Sequence, residues 1–395
     1  MKITVIGAGE IGSAVAEQLS RYEEIQLVQV CDAGARALQD LHDRVQNPKL
    51  RSFQIDARDQ RLVEPIIQGS DCVVNCLPAS VRDVIAEICL SMGLHYCDLG
   101  GDDTSLDKIL ALNDAAAEKG VWIVPNCGLA PGFTNVLCLH AISRFDSVEA
   151  AFIRVGVVPQ HPKPPFNFRL SWSAEKVISD YTRPAKRIID GEIVTVEPLT
   201  DVEPIHFPEP YGELEAFSTA GGMATLTEQL LGRVHTLDHK TIRWPGHANQ
   251  MRFLLGLGLG EDRSIDVRTH LTYRDVLVRR MRKRLGGHFA DAALLRIVVH
   301  GTRDGEQKSL VYELIDTTGD DRTMAIRRVI SIPTAAMVHL VATGKTEGQG
   351  GACPPEQVVT GRDMVDLVRA QGLDLQKTYY DGFIDVDQPP VLAAS

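Results

Sequence analysis

Cysteine chemistry is the first thing this sequence lacks. Its eight cysteines, Cys31, Cys72, Cys76, Cys89, Cys97, Cys127, Cys138 and Cys353, contain no CxxC pair and have no partner histidines at zinc-finger spacing. Most lie in apolar runs, where a reduced cysteine behaves as a small hydrophobe, so neither a disulfide framework nor a bound metal is expected. Long hydrophobic runs are missing too: nothing approaches the ~18 uninterrupted apolar residues of a membrane span. Ahead of Ile3-Thr4-Val5-Ile6 there is no charged region with an apolar stretch and a cleavage site. The expectation is a cytoplasmic protein with no membrane partner. Positive charge is in deficit, with 41 Lys and Arg against 52 Asp and Glu and a net charge of −11. That argues against a nucleic-acid partner, which needs a basic face. An acidic surface that steers a cationic substrate stands beside simple solubility as its explanation. No internal repeat is visible.

What is present is ordinary for a globular chain, 44% hydrophobic and 24% charged, and 395 residues suffice for two or three domains. The first 126 residues alternate apolar runs with helical patterns. Strands are expected at Lys2–Ile6, Ile25–Val30, Leu50–Ile55, Asp71–Leu77, His95–Asp98 and Val121–Pro125, with helices between them, including Ala79–Met92 and Ser105–Lys119. Such alternation predicts an α/β, doubly wound, Rossmann-type parallel sheet covered on both faces. From about Asp146 the texture changes to a strand pattern at Val148–Val158 and further strands at Ile193–Pro198, Ile205–Phe207, Leu294–His300 and Ser309–Thr317. The last two are joined by the turn signal Thr302–Glu306. Arg274–Arg284 reads as a basic, solvated helix face. This second region is expected to be an α+β domain with an antiparallel sheet, over 131–333, after a dinucleotide domain over 1–130. The helical patterns Thr334–Thr343 and Thr360–Gln371 suggest that 334–395 returns to the first domain.

The chemistry begins with Gly7-Ala8-Gly9-Glu10-Ile11-Gly12. Gly7 permits a tight strand-to-helix turn, Gly9 lets backbone approach a pyrophosphate, and Gly12 allows close helix–strand packing. The helix start offers free N–H groups and the positive dipole end to the phosphates. A glycine motif alone is weak, but here it follows a strand, opens a helix, and precedes a second strand ending at Asp32, 20 residues after Gly12. That carboxylate is placed to accept from ribose hydroxyls and would repel a 2′-phosphate, so NAD is the expected cofactor. Arg36 keeps NADP open. Other candidate cofactor contacts fall at later strand ends: Asp56-Ala57 along the adenine, and Asn75-Cys76-Leu77-Pro78 near the nicotinamide ribose. Asp98, before Leu99-Gly100-Gly101, reads either as a reacting group or as a turn-capping residue. Cys127-Gly128-Leu129-Ala130-Pro131-Gly132 is a segment able to run its backbone against a ligand. Cys127 has no cationic neighbour in sequence to lower its thiol pKa, which weakens a nucleophile reading.

Beyond the glycine turn and Asn75–Pro78, the chain carries Tyr96-Cys97-Asp98-Leu99-Gly100-Gly101, Cys127–Asn135, Leu170-Ser171-Trp172-Ser173 and Gly212–Phe217. It also carries Lys240-Thr241-Ile242-Arg243-Trp244-Pro245-Gly246-His247. Together these resemble the saccharopine dehydrogenase-like family, over Met1 to about Arg369, and most of all its lysine 6-dehydrogenase branch. The resemblance implies NAD-dependent oxidation of the lysine side-chain amine, hydrolysis of the imine to a semialdehyde, and cyclisation to a piperideine carboxylate. Relatives of the saccharopine-reductase and carboxynorspermidine-dehydrogenase kind run imine chemistry on larger substrates. Ile242 and Trp244 depart from the family's arginine–histidine stretch.

This reaction class makes physical demands. A hydride leaves only a carbon bearing a neutral amine, so a base must take the ammonium proton, and distant contacts must hold the carbon against the nicotinamide. Arg243 suits a bidentate clamp on an α-carboxylate, a surface salt bridge being the alternative. His247, four residues on, is a candidate base or water activator, against a histidine merely bonded within the fold. Glu175 and Asp180 are candidates for an acidic contact to the amine, and Tyr181 and Thr219 for orienting contacts. Trp172 and Trp244 wall the pocket or pack in the core. A reductase of larger substrates would need extra cations for additional carboxylates; Arg154, Arg169, Arg183 and Arg187 are available. A third possibility is a non-catalytic dinucleotide-binding sensor, against which the retained Arg243 and His247 argue. The partner is an amino-acid-sized molecule, with a homo-oligomer, a dimer, expected from the one-sided second sheet.

Overall fold

The computed structural model describes residues 1–100, 103–319 and 323–387. The chain divides into two units, one formed by Met1–His140 with Arg327–Leu373 and the other by Ala141–Ile326 with the segment from Asp374. The C-terminal stretch from 334 is therefore shared. Its helices stay in the first unit, whereas its strand at Leu375–Asp381 pairs in the sheet of the second.

The first unit holds strands β1 (Lys2–Ile6), β2 (Leu27–Asp32), β3 (Leu50–Gln54), β4 (Cys72–Asn75), β5 (His95–Asp98) and β6 (Trp122–Val124). With the two-residue β15 (Gly351–Ala352) they form one parallel sheet in the order β15-β6-β5-β4-β1-β2-β3. The α/β Rossmann reading holds. Ile3, Val5, Val28, Val30, Val73, Val74 and Ile123 have no exposed surface; side chains of this kind each contribute about 1.5–3 kcal/mol when buried. Strand order reverses at β1, between β4 and β2, the place where such sheets bind ligands. The expected helix Ser105–Lys119 is two helices, Asp103–Leu110 and Asn113–Glu118. Pro333, expected to precede a helix, lies inside one, Ala325–Ala342. Its missing N–H removes one intrahelical bond, but the fully buried Ala335, Ala336, Val338 and Val341 anchor the continuing helix. This helix is long and apolar enough to cross a membrane, yet 83% of it is buried, as in the core of a folded domain.

The second unit is built on β7 (Ser147–Pro159), β8 (Ala185–Ile189), β9 (Glu192–Val196), β10 (Glu203–Phe207), β11 (Gly212–Ser218), β12 (Thr236–Arg243), β13 (Asp291–Arg303), β14 (Glu306–Thr317) and β16 (Leu375–Asp381). The main path is β10-β11-β12-β7-β13-β14-β16, with β8 and β9 beside β12. The sheet is mixed rather than antiparallel, because β12 runs parallel to β7. The helices Ala174–Thr182, His247–Gly256 and Tyr273–Leu285 share an apolar cluster that includes Phe168, Tyr181, Phe217, Ala248 and Met281. The basic helix buries Leu277, Val278 and Met281 and leaves its arginines outward.

Strand alternation sorts β12 onto two faces. Leu237, His239, Thr241 and Arg243 share one, with Glu215 and Phe217 of β11 opposite Arg243 and Thr241. Asp238, Lys240 and Ile242 point the other way. There Arg154 pairs with Glu203 at 2.7 Å and Asp238 at 2.8 Å, and Arg296 pairs with Glu313 at 2.7 Å.

Candidate functional site

In the first unit the glycine turn has the shape its sequence requires. Gly7 has φ +103°, and a Cβ on Gly12 would lie 2.0 Å from the Gly7 carbonyl oxygen. Gly9 is exposed and a Cβ there would meet nothing within 4 Å, so the space over it is open to a ligand. Gly9 also caps the helix Glu10–Ser20 without a side-chain hydrogen bond, which leaves the first helical N–H groups available. Asp32 is drawn into the turn: its carboxylate accepts from Ala8 N–H and Gly34 N–H, each at 2.7 Å. Each oxygen retains a lone pair for a ribose hydroxyl. Glu10 is paired with the buried Arg327, and Ile11 is half-buried. An open backbone turn, unspent helix N–H groups and an acidic residue at the end of β2 fit a nicotinamide dinucleotide.

Other residues expected near the cofactor serve the turn architecture. Asn75 is buried; its Oδ1 accepts from Leu77 N–H at 3.0 Å and its amide donates to Tyr96 Oη at 3.3 Å. Cys76 packs where a Gly12 Cβ would come within 3.0 Å, Leu77 lies equally close behind Gly7, and Pro78 caps a short 3₁₀ turn. Asp56 is held by Arg58 at 2.6 Å at the surface, which lowers its pKa to about 2, and Ala57 is buried beside it.

Asp98 does not stand free for chemistry. It is 1% exposed, its Oδ2 pairs with Arg82 Nε at 2.7 Å, and its Oδ1 accepts from Gly100 N–H at 2.8 Å and Asn126 N–H at 2.9 Å. Arg82, also 1% exposed, further donates to Ser105 Oγ at 3.1 Å and Asn126 Oδ1 at 2.7 Å. Asp98 therefore anchors the loops after β5 and β6. Gly101 lies outside the described residues. Cys127 is likewise committed: its N–H donates to Asp98 O, its thiol to Val124 O, and its carbonyl accepts from Thr334. Gly128 is buried, with its carbonyl bonded to Phe133 N–H.

The second unit brings Arg243, Tyr181 and His247 together. Arg243 ends β12 and is 1% exposed; its Nη1 donates to Val157 O at 3.2 Å and Ile242 O at 3.0 Å. The guanidinium is sandwiched between Phe168 at 5.2 Å and Trp172 at 5.1 Å. Its Nε donates to Tyr181 Oη at 3.3 Å, and that hydroxyl lies 3.1 Å from His247 Nε2. Arg243 only donates, so Tyr181 accepts from it. The arrangement that also gives the Tyr181 proton an acceptor, His247 Nε2, puts the imidazole proton on Nδ1. Burial, reinforced by the Arg243 charge, holds the His247 pKa well below its ordinary value, so the ring is neutral. Among the described residues, His247 Nδ1 and Arg243 Nη2 have no hydrogen-bond partner. In that tautomer His247 Nδ1 and Arg243 Nη2 are two buried donors left unspent.

Glu215, which the sequence reading missed, fixes this corner. Its carboxylate accepts from Gly246 N–H and Ala248 N–H, each at 2.7 Å, capping the helix that begins at His247. Gly246, at φ +91°, makes the reversal from β12 into that helix. A Glu placed opposite Arg243 on a neighbouring strand leaves no local sequence signal. Thr219 is bonded hydroxyl to hydroxyl with Thr241 at 2.7 Å on the same sheet face.

Three expectations fall elsewhere. Trp244 packs with the apolar cluster containing Ile242, on the opposite face, and donates to Pro159 O at 3.0 Å, because it continues the alternation that sets Ile242 away from Arg243. Glu175 makes a surface ion pair with Arg282. Arg154 and Arg187 are tied to carboxylates and Arg169 to the carbonyls of Leu285 and Gly286, while Arg183 lies 3.9 Å from Asp180.

Residues 3–124 match the saccharopine dehydrogenase NADP binding domain, and residues 128–373 match the saccharopine dehydrogenase C-terminal domain. Mouse mitochondrial alpha-aminoadipic semialdehyde synthase is 23% identical over 269 residues, 65% of this chain but 28% of that protein. Carboxyaminopropylagmatine dehydrogenase of Synechocystis is 22% identical over 216 residues, 52% of this chain and 54% of that one. Among solved structures, apo saccharopine dehydrogenase (L-Glu forming) of Saccharomyces cerevisiae has the same fold, with a TM-score of 0.76 at 15% identity over 96% of this chain and 99% of that one.

Proposed function

The chain belongs to the saccharopine dehydrogenase family, and on that premise we propose that it is an NAD-dependent oxidoreductase acting on a C–N bond. Its substrate is lysine or a close analogue, whose side-chain amine it oxidises to an imine that water hydrolyses. The observation that carries this reading is the pair of unspent donors, Arg243 Nη2 and His247 Nδ1, beside the rings of Phe168 and Trp172 that flank the guanidinium. A buried cation and a neutral N–H donor, each with one nitrogen left without a partner among the described residues, are matched by one carboxylate. Tyr181 holds the two groups in register, and Glu215 fixes the helix start from which His247 projects.

The bound nicotinamide supplies the hydride acceptor. Gly9, the N–H groups at the start of the helix Glu10–Ser20, and Asp32 would hold the dinucleotide. Asp32 disfavours a 2′-phosphate, and Arg36 is 94% exposed and turned to Asp40, so NAD is the preferred form although the family's domain is described as NADP-binding. Arg243 clamps the carboxylate, and charge-assisted bonds of this kind contribute about 1.5–3 kcal/mol each.

A reductase that joins two amino-acid-sized pieces would need further cations, and Arg154, Arg187 and Arg169 are already engaged. The test is an absorbance assay of NAD reduction over a panel of amines and amino acids. Turnover is expected with L-lysine alone, and Arg243→Met should raise its KM about 10- to 100-fold. Turnover only in the reductive direction, with an aldehyde, an amino acid and reduced cofactor mixed, would defeat the proposal.

A further inference from the structure

Four residues before Arg243 on the same face of β12 stands His239, 5% exposed. Among the described residues, neither of its ring nitrogens has a hydrogen-bond partner beyond its own backbone. The ring lies against Gly222, where a Cβ would come within 2.2 Å of Cε1 and Nε2. Burial lowers its pKa to about 4, so it is a neutral imidazole with one donor and one acceptor, and its own backbone is the one group that its ring meets as a hydrogen-bond partner among the described residues. Between it and Arg243 lies the Thr219–Thr241 hydroxyl pair. Beside it, the Lys176–Asp180 ion pair, 2.5 Å long, presses on the adjoining Gly221, each partner 2.8 Å from where a Cβ would be.

Arg243 and His247 share one tyrosine hydroxyl, so both serve the same end of a substrate. The other end must be received elsewhere. Four strand residues set the Cα atoms of His239 and Arg243 roughly 13 Å apart. An extended lysine measures roughly 7 Å from carboxylate carbon to terminal nitrogen, and a hydrogen bond of about 2.9 Å at each end brings the total to roughly 13 Å.

We propose that His239 is the binding residue for the substrate's side-chain nitrogen, accepting an N–H of the amine while Arg243 and His247 hold the carboxylate. The site then measures substrate length along β12 and selects an α-amino acid that carries a nitrogen at the lysine distance. This inference rests on the carboxylate assignment proposed above.

The experiment is calorimetric titration of the protein loaded with the reduced cofactor, which cannot accept a hydride, with L-lysine and with L-norleucine, which keeps the carboxylate and the chain but has no terminal nitrogen. Wild-type protein should bind L-lysine at least 10-fold more tightly than L-norleucine. His239→Leu should abolish that preference by weakening L-lysine alone, with an unchanged or higher melting temperature, because an unspent buried polar group is removed. His239→Asn, which retains a donor and an acceptor, should recover part of the preference. An unchanged preference in His239→Leu, or equal losses for both ligands, overturns the role of His239. Failure of Arg243→Met to weaken either ligand instead overturns the carboxylate assignment, and this inference with it.

Discussion

Replacing Arg82 with methionine tests whether Asp98 is an anchor or a reacting group. The substitution keeps most of the aliphatic stem and removes the guanidinium. It leaves the Asp98 carboxylate, 1% exposed, with only the two N–H groups of Gly100 and Asn126. Breaking one side of a buried ion pair costs about 3–5 kcal/mol, because the remaining charge stays uncompensated. Against the about 5–15 kcal/mol that stabilises a typical fold, the loss is large. Urea unfolding followed by circular dichroism measures it for Arg82→Met, Asp98→Asn and the double variant. The double variant should be less destabilised than Arg82→Met alone, since the stranded charge is gone, giving a clear coupling term in the cycle. A cost below about 1 kcal/mol for Arg82→Met would refute the anchoring role. So would an Asp98→Asn protein of wild-type stability that has lost turnover.

Gly12→Ala sets a methyl 2.0 Å from the Gly7 carbonyl oxygen; overpacking of about 1–3 kcal/mol should weaken dinucleotide binding roughly 10- to 100-fold by fluorescence titration. His247 is neutral throughout the working range, so the pH profile of kcat/KM should show no step that His247→Asn removes. His247→Phe, which loses the donor, should raise the KM more than His247→Asn does. Asp387 lies 3.8 Å from Arg154 beside Glu203, and burial raises its pKa to about 6. A carboxyl raised in the folded state adds stability below its unfolded pKa near 4 and loses it as pH climbs through about 6. Asp387→Asn should therefore melt higher than wild type at alkaline pH and not at acidic pH; the same shift at both would contradict this.

The first unit was almost fully legible because its signals are local. Glycines at fixed spacing, β-branched runs and an acid at the end of β2 all act within one βαβ segment. Asp98 shows the limit: its position at a strand end was readable, but its partner Arg82 comes from a different helix, so a buried anchor looked like a candidate reactant. In the second unit the site rests on β11 and β12, which carry charged and polar residues inward and so lack an apolar alternation to read. Arg243 and His247 were found through a family-like stretch. Glu215 and His239 were not, since their meaning comes from cross-strand neighbours and from the absence of partners. Trp244 follows Arg243 directly, and strand alternation sends it to the face of Ile242.

Hydride transfer from the side-chain carbon of L-lysine is the central claim, and deuterium reports it directly. L-lysine dideuterated at its ε-carbon is incubated with the protein and NAD, and the reduced cofactor is examined by NMR. One deuterium should appear at the reactive carbon of the nicotinamide ring, with a primary isotope effect if that step limits the rate. Reduction that carries no deuterium from the ε-carbon but takes it from lysine labelled at the α-carbon would contradict the account.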